Sequence, residues 1–321
     1  DFAVQEQWSG RFGGRTFLPN RLWVNGDQEF IPYDYKNYDC KDHLRTNIAF
    51  DYLDKKSSKE PFFLFMSYRA PHSFEGPIRD TLDYKEEDWP DIEKAHAAKI
   101  TLLDRQIGRL INKLKELGEL DNTLILFTSD NGPHFDNGGH ELEFFNSNGN
   151  LKGGKRDLYE GGIRVPLIAY WKNKIKSNSK TYHISGFQDI MSTFAEIIGY
   201  KTPKGLDGIS FLPTLISKDQ PKHDYLNWEF QLSGWFQNLP SGGFRQSVRF
   251  DHWKAVRYSL NSDIELYDLN EDEGETNNQA HLHPKIVKKA KDIFENSRSE
   301  QYGFPYGGVV QNYKSMERFV Q

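Results

Sequence analysis

The sequence predicts a mixed α/β fold: a mixed or largely parallel sheet between helices, followed by a small antiparallel sheet with a terminal helix. Three observations carry that expectation. Apolar runs at 62–66, 123–128 and 165–171 are continuous rather than alternating, as in strands buried on both faces. Amphipathic helical stretches stand between and after them. Beyond about Pro213 the pattern changes to short strand-like segments separated by turns.

Element by element, the first forty residues are rich in Gly, Asn, Asp and aromatics with little periodicity, and read as loops. NIAFDYLDKK reads as the end of a helix. PFFLFMSYRAPH reads as a buried strand closed by Pro71 and His72. Ile100, Leu103, Ile107, Leu110, Leu114 and Leu117 recur at helical spacing, with Gly118 placed to end the helix. TLILFTS and VPLIAYW are the next two strands. GFQDIMSTFAEIIG is a second amphipathic helix through Phe187, Ile190, Met191, Phe194 and Ile197, with Gly199 behind it. DYLNWEF, FRQSVRFDHWKAVRYS and DIELYDL read as antiparallel strands, and HPKIVKKAKDIFENS as the closing helix. The expected division is 1–213 and 214–321.

The chain has 321 residues and a net charge of −5, which argues against a general nucleic-acid binder. Cys40 is the single cysteine, so no intrachain disulfide forms. No apolar run reaches the length of a membrane span. The opening DFAVQEQWSG has neither methionine nor a signal peptide and reads like the middle of a longer protein.

Ligands of open α/β sheets bind beyond the carboxyl ends of the strands. Two runs bring polar residues there: His72 after the first, Asp130 and Asn131 after the second. Asp and Asn oxygens suit Ca²⁺ or Mg²⁺, although Asp-Asn-Gly is also ordinary turn chemistry. In GNLKGGKRDLYEGGIRVP, glycines flank Lys152, Lys155, Arg156 and Arg164, an arrangement that lets an ammonium approach a small oxyanion. The P-loop spacing is not met. His134 and His140 lack the further ligands that zinc requires. DLNEDEG departs from the EF-hand pattern and reads as a turn. Trp228, Trp235, Phe236 and Trp253 could stack on sugar rings, but each alone reads equally as core. No G-x-S-x-G occurs.

In order along the chain, PHSFEGP, TLILFTSDNGPH, LKGGKRDLYEGGIRVPLIAYW, WKAVR and IELYDLNEDEGETNN resemble the sulfatase family, the formylglycine-dependent enzymes of the alkaline phosphatase superfamily. The forms SDNGPH and FFNSNG look like its bacterial, glycan-acting members. The resemblance implies an alkaline-phosphatase-like fold and hydrolysis of a sulfate ester on a carbohydrate. It makes Asp130 and Asn131 the second pair of Ca²⁺ ligands, Lys155 the lysine on the sulfate, and His72 the histidine beside the sulfate and leaving oxygen. His134, His140, Arg156, Trp228 and Glu229 are candidates to line the sugar pocket. Export to the periplasm or cell exterior is the habit of such bacterial enzymes.

The family's nucleophile lies in C/S-x-P-x-R, and these residues contain no such motif. Cys40 is followed by Lys41-Asp42-His43, so that role is not assigned to it. The first aspartate pair and the upstream lysine and histidine are also missing from the pattern. The expectation is therefore a chain matching the later two-thirds of a sulfatase, with formylglycine upstream and no turnover or firm calcium binding by these residues alone. Two alternatives stand beside it: a non-catalytic glycan-binding or structural module, and a phosphoesterase or phosphonate hydrolase of the same superfamily.

Overall fold

The computed structural model describes residues 4–6, 22–24, 27–29, 39–56, 60–72, 81–134, 140–231 and 243–299. Two compact units divide the chain: Asp1–Thr123 with Phe135–Phe145, and Leu124–His134 with Asn146–Gln321. The fold is mixed α/β with small antiparallel sheets.

In the first unit, β1 (Val4–Glu6), β2 (Leu22–Val24) and β3 (Asp27–Glu29) form an antiparallel sheet where loops were expected. Three-residue strands are too short to show a period in sequence. Helices α1 (Lys41–Lys55) and α2 (Asp91–Glu116) pack together. Arg109 ties them by donating to Asn47 Oδ1 at 2.7 Å, its guanidinium lying 5.0 Å from the Phe50 ring. Gly118 takes a left-handed φ of 72°, and the Glu119 amide closes the helix end on Leu114 O at 2.9 Å. The buried side of α2 is Ala98, Leu102 and Leu114 with Glu93 and Gln106. Ile100 and Leu117, expected on that side, are exposed. Helix α3 (Leu142–Phe145) sets Phe144 and Phe145 edge-on to Trp89.

The run 62–66 forms no strand among the described residues. Its side chains alternate, and Phe65 is 77% exposed, so the expected buried strand is corrected to a half-exposed segment.

In the second unit, β4 (Ile125–Thr128) pairs antiparallel with β5 (Leu167–Tyr170), Ile125 opposite Tyr170 and Thr128 opposite Leu167. A continuous apolar run does not encode pairing direction, so the parallel pairing expected of these runs is corrected here. Ile168 is 61% exposed, which a strand covered on both faces would not be. The short helix α4 (Glu160–Ile163) precedes β5, and α5 (Asp189–Ile197) and α6 (Leu212–Leu215) follow it. The apolar stripe of α5 is only partly covered: Met191 is 59% exposed, while Ile190, Phe194 and Ile197 are half-buried. Asp189, Ser192, Thr193 and Ala195 are the buried positions. The polar ones are held inside by hydrogen bonds. Asp189 accepts the amides of Gly186 and Ile209, each at 2.8 Å, and His223 Nε2 at 2.8 Å. Thr193 Oγ1 accepts the Phe211 amide at 3.0 Å.

The rest of this unit follows the sequence. β6 (Leu226–Gln231), β7 (Phe244–Phe250), β8 (Trp253–Arg257) and β9 (Glu265–Asp268) form an antiparallel sheet in chain order. Helix α7 (Pro284–Asn296), opened by a proline in its first turn, covers one face. Ala290 and Phe294 pack there on Val248, Phe250, Trp253, Ala255 and Leu266. The other face carries Arg245, Ser247 and Arg249 of β7, Lys254 and Val256 of β8, and Glu265 and Tyr267 of β9. This is the face that holds the candidate site.

Candidate functional site

Strand β4 ends in Ser129-Asp130-Asn131-Gly132 because the turn behind it fits no side chain. The Gly132 amide donates to Gly162 O at 2.9 Å, and a Cβ on Gly132 would lie 1.9 Å from Gly161 O. Ser129 Oγ donates to Asn131 O at 2.9 Å, closing the turn. The glycines at 161 and 162 are held as closely. A Cβ on Gly161 would lie 2.3 Å from Gly153 O, and one on Gly162 2.2 Å from Asp157 O. The K-G-G-K and E-G-G segments thus stack backbone on backbone, with the Asp130–Pro133 loop against them.

Lys155 sits where these loops meet. Its amide donates to Pro133 O at 2.6 Å. Arg156 has a left-handed φ of 77°, unusual for a residue with a side chain, and its Nη1 lies 3.3 Å from His134 Nε2. Asp130, Asn131, His134, Lys155 and Arg156 are therefore brought onto two pinned loops of one unit.

The sheet face behind them supplies charge. Glu160 is buried between Lys254 (Nζ to Oε1, 2.9 Å) and Arg249 (Nη1 to Oε2, 2.7 Å). Burial pushes the Glu160 carboxyl up, but the two cations outweigh it and hold the pKa below the usual value. The Glu160 amide donates to Glu275 at 2.7 Å. Burial raises Glu275 to about 7. Lys152 Nζ donates to Tyr267 OH at 3.0 Å and lies 4.1 Å from the Tyr159 ring centre. Tyr159 and Tyr267 both donate to Glu265 Oε2 at 2.6 Å, and burial with that bond raises both phenols.

Of the remaining candidates only Trp228 shares that face. Trp228 is opposite Ser247 on the loop-bearing face, its ring centre 5.3 Å from Lys254 Nζ. Glu229 is on the α7 face, where Gln246 (2.5 Å) and Arg298 (3.0 Å) donate to it. The sequence period already implies this, since neighbours along a strand face opposite ways. His140 belongs to the first unit. Its buried side chain bonds Glu93 at 2.5 Å and stacks on His96 at 3.7 Å. Burial, then the charge of His140, pulls His96 down to about 4. His72 is also in the first unit, its amide bonded to Arg69 O at 2.8 Å. Buried Asp42 at the start of α1 accepts the amides of Arg69 (3.2 Å) and Ala70 (3.0 Å), fixing the segment that ends at His72.

Asp130 and Asn131 offer oxygens of the kind a hard cation takes. Asn131 donates its Nδ2 to Gly132 O at 2.9 Å, which leaves Oδ1 as the ligand atom. Two side chains supply only part of the six to eight oxygens Ca²⁺ takes. Among the described residues there is no cluster of three or more His, Cys, Asp or Glu that could hold a metal. Sequence reasoning missed Asp42, Asp157, Arg245 and Lys254. The doubled glycines at 153–154 and 161–162 were the available signal for close backbone packing.

A family model described as Sulfatase matches residues 11–200, and one described as N-sulphoglucosamine sulphohydrolase, C-terminal, matches residues 153–300. N-acetylgalactosamine-6-O-sulfatase of Bacteroides thetaiotaomicron is 29% identical over 303 residues, 88% of this chain and 55% of that protein. A sulfatase of Formosa agariphila is 31% identical over 247 residues, 70% of this chain and 43% of its own length. The crystal structure of Ps i-CgsB in complex with k-i-k-neocarrahexaose matches with a TM-score of 0.74 at 23% identity, covering 94% of this chain and 62% of that one, a likeness of fold. The chain spans about half the length of the curated relatives it matches.

Proposed function

The chain belongs to the sulfatase family, and from that premise we propose that the whole protein hydrolyses a sulfate ester on a carbohydrate. The supporting observation is the seating of Lys155 against the Asp130–Pro133 loop through its amide bond to Pro133 O, 2.6 Å long. That bond seats the backbone of Lys155 on the loop that carries Asp130 and Asn131, which supports reading the three residues as one site. A sulfate monoester carries its negative charge on non-bridging oxygens, which must be neutralised before a nucleophile can approach sulfur. Lys155 holds one such oxygen. Asp130 and Asn131 would hold two positions of a Ca²⁺ ion, Mg²⁺ being the alternative, and the ion would supply further neutralisation. His72 holds a proton for the departing sugar oxygen. Arg156 and His134, with Trp228 on the sheet face behind, bind the sugar, and His140 is proposed with them; Glu229 turns to the α7 face, bonded to Gln246 and Arg298, and is dropped from the set. The formylglycine hydrate of the family, where present, would supply the attacking hydroxyl.

In this reading residues 1–213 are the later part of the catalytic domain and 214–321 its C-terminal subdomain. Location in the periplasm or outside a bacterial cell goes with it. No helix among the described residues is long and apolar enough to cross a membrane. These 321 residues contain no C/S-x-P-x-R. That favours a second reading for the chain on its own: it binds sulfated glycan without turning it over.

The test is parallel turnover of an aryl sulfate and an aryl phosphate by the complete protein, with Lys155→Ala and His72→Ala beside it. Preference for sulfate, lost in both folded variants, is expected. Equal or better turnover of phosphate would replace the assignment with a phosphoesterase. Near-normal turnover in either variant would remove that residue from the mechanism.

A further inference from the structure

The Lys155 turn is closed twice over. The Asp157 amide donates to Gly154 O at 2.9 Å, and the Gly154 amide returns a bond to Asp157 Oδ2 at 3.2 Å. Gly153, at a φ of 77°, leaves room for this: a Cβ there would lie 2.9 Å from the Asp157 carboxylate. Arg245 reaches over from β7. Its Nη1 donates to Arg156 O at 2.9 Å and to Asp157 Oδ1 at 2.8 Å, so one nitrogen bridges the backbone and the side chain of the turn. Tyr258 backs both partners, its ring 4.7 Å from the guanidinium and its hydroxyl 3.3 Å from Asp157 Oδ1.

The arrangement costs energy that simple packing would avoid. Arg156 is held in the left-handed region, a conformation that residues with a side chain rarely adopt. The buried Nε of Arg245 has no hydrogen-bond partner among the described residues. A surface turn with no geometric task would relax both. Here the strained residue immediately follows Lys155, and the guanidinium is aimed at the carbonyl of that same residue.

We propose that Asp157 and Arg245 are positioning residues for Lys155: the pair fixes the turn so that the ammonium meets the sulfate oxygen with its geometry already set. This rests on the reading of Lys155 as the sulfate-binding lysine. Because the two charges cancel, the pair orients Lys155 without changing the net charge around it. That separates positioning from electrostatics by sign. Removing the Asp157 charge alone would strengthen attraction for an anion, whereas removing its geometry weakens binding.

The experiment uses the 321-residue chain and five variants: Asp157→Asn, Arg245→Ala, their double mutant, Arg245→Lys, and Lys155→Ala. Two readouts are taken. Amide hydrogen exchange at Lys155 reports whether the turn is held, with the β4 amides as the internal reference. Calorimetric titration with inorganic sulfate reports the function of the site. Under the proposal, Lys155 amide protection falls at least tenfold in both single variants while β4 is unchanged. Sulfate affinity falls about tenfold or more in each, the double mutant is no worse than either single, and Arg245→Lys recovers part of the loss. Unchanged protection at Lys155 overturns the positioning role whatever sulfate does. Tighter sulfate binding in Asp157→Asn also overturns it, in favour of plain electrostatics. Sulfate binding absent from the parent chain, or unaltered by Lys155→Ala, sinks the functional reading instead and leaves the exchange result to judge the clamp.

Discussion

The amide of Gly132 donates to the carbonyl of Gly162 at 2.9 Å, joining the loop that carries Asp130 and Asn131 to helix α4, which follows the loop that carries Lys155. The contact works only between glycines, because a Cβ on Gly132 would sit 1.9 Å from Gly161 O, a backbone atom with nowhere to go. Gly132→Ala is therefore expected to destabilise the second unit by about 2 kcal/mol or more and to weaken inorganic sulfate binding even where the protein remains folded. Urea unfolding and calorimetry check the two effects separately. A neutral substitution would mean that the two loops are not locked together.

Glu160 is the joint between the Y-E-G-G segment and the β6–β9 sheet. It accepts from Lys254 and Arg249, and Lys254 is fully buried beneath the Trp228 ring. Removing one partner of a buried ion pair strands the other, which costs about 3–5 kcal/mol. Lys254→Met, similar in length and without charge, is expected to lower stability by that order in urea unfolding at pH 7.5. A loss under about 1 kcal/mol would show that Arg249 alone satisfies Glu160.

These two joints mark the limit of what could be read in advance. The strands and helix after Pro213 were legible because their periods are short and local. Asp130, Asn131 and Lys155 were legible as a motif, and the structure places them on adjoining loops. The partners that hold those loops were not: Arg245 and Asp157 are 88 residues apart, Lys254 and Glu160 94, and no local pattern links them. The half-exposed stripe of α5 escaped for a related reason. Helical spacing shows that Phe187, Met191 and Phe194 share a side but not which side is buried, and here Asp189 and Thr193 win the inside through hydrogen bonds.

Asp42 offers a test at the other candidate catalytic residue. Its carboxylate takes the amides of Arg69 and Ala70, three and two residues before His72. Asp42→Asn replaces one acceptor by a donor that faces an N–H, which is expected to cost about 1–3 kcal/mol. Exchange at the Arg69 and Ala70 amides should rise with it. In the complete enzyme, turnover should fall while sulfate affinity, set in the second unit, holds. Slow exchange at both amides in the variant would show that another group fixes the segment.

Glu275 gives the pH dependence a definite sign. It is fully buried, accepts the Glu160 amide, and keeps its other oxygen without a partner among the described residues. Burial raises its pKa from 4.5 to about 7, against the pull of Lys254 and of the Glu160 amide and with the help of the Glu160 carboxylate. A carboxyl whose pKa is raised on folding binds its proton more tightly in the folded state. The folded protein is then favoured when Glu275 is protonated, and that advantage is lost as pH rises from about 4.5 to about 7. Above this window the buried charge is a constant penalty. Glu275→Gln keeps an acceptor for the Glu160 amide and carries no charge. It should therefore be more stable than the parent at pH 8 by about 1–3 kcal/mol, with the difference vanishing near pH 4.5. Glu160 works in the opposite direction: its depressed pKa contributes stability above its ordinary range and loses it as pH falls. Urea unfolding of parent and variant at pH 8, 6.5 and 5 separates the two terms, because only the Glu275 term disappears in the variant. Equal stability of the two proteins at pH 8 would mean that the Glu275 carboxylate is buried in its charged form at no cost.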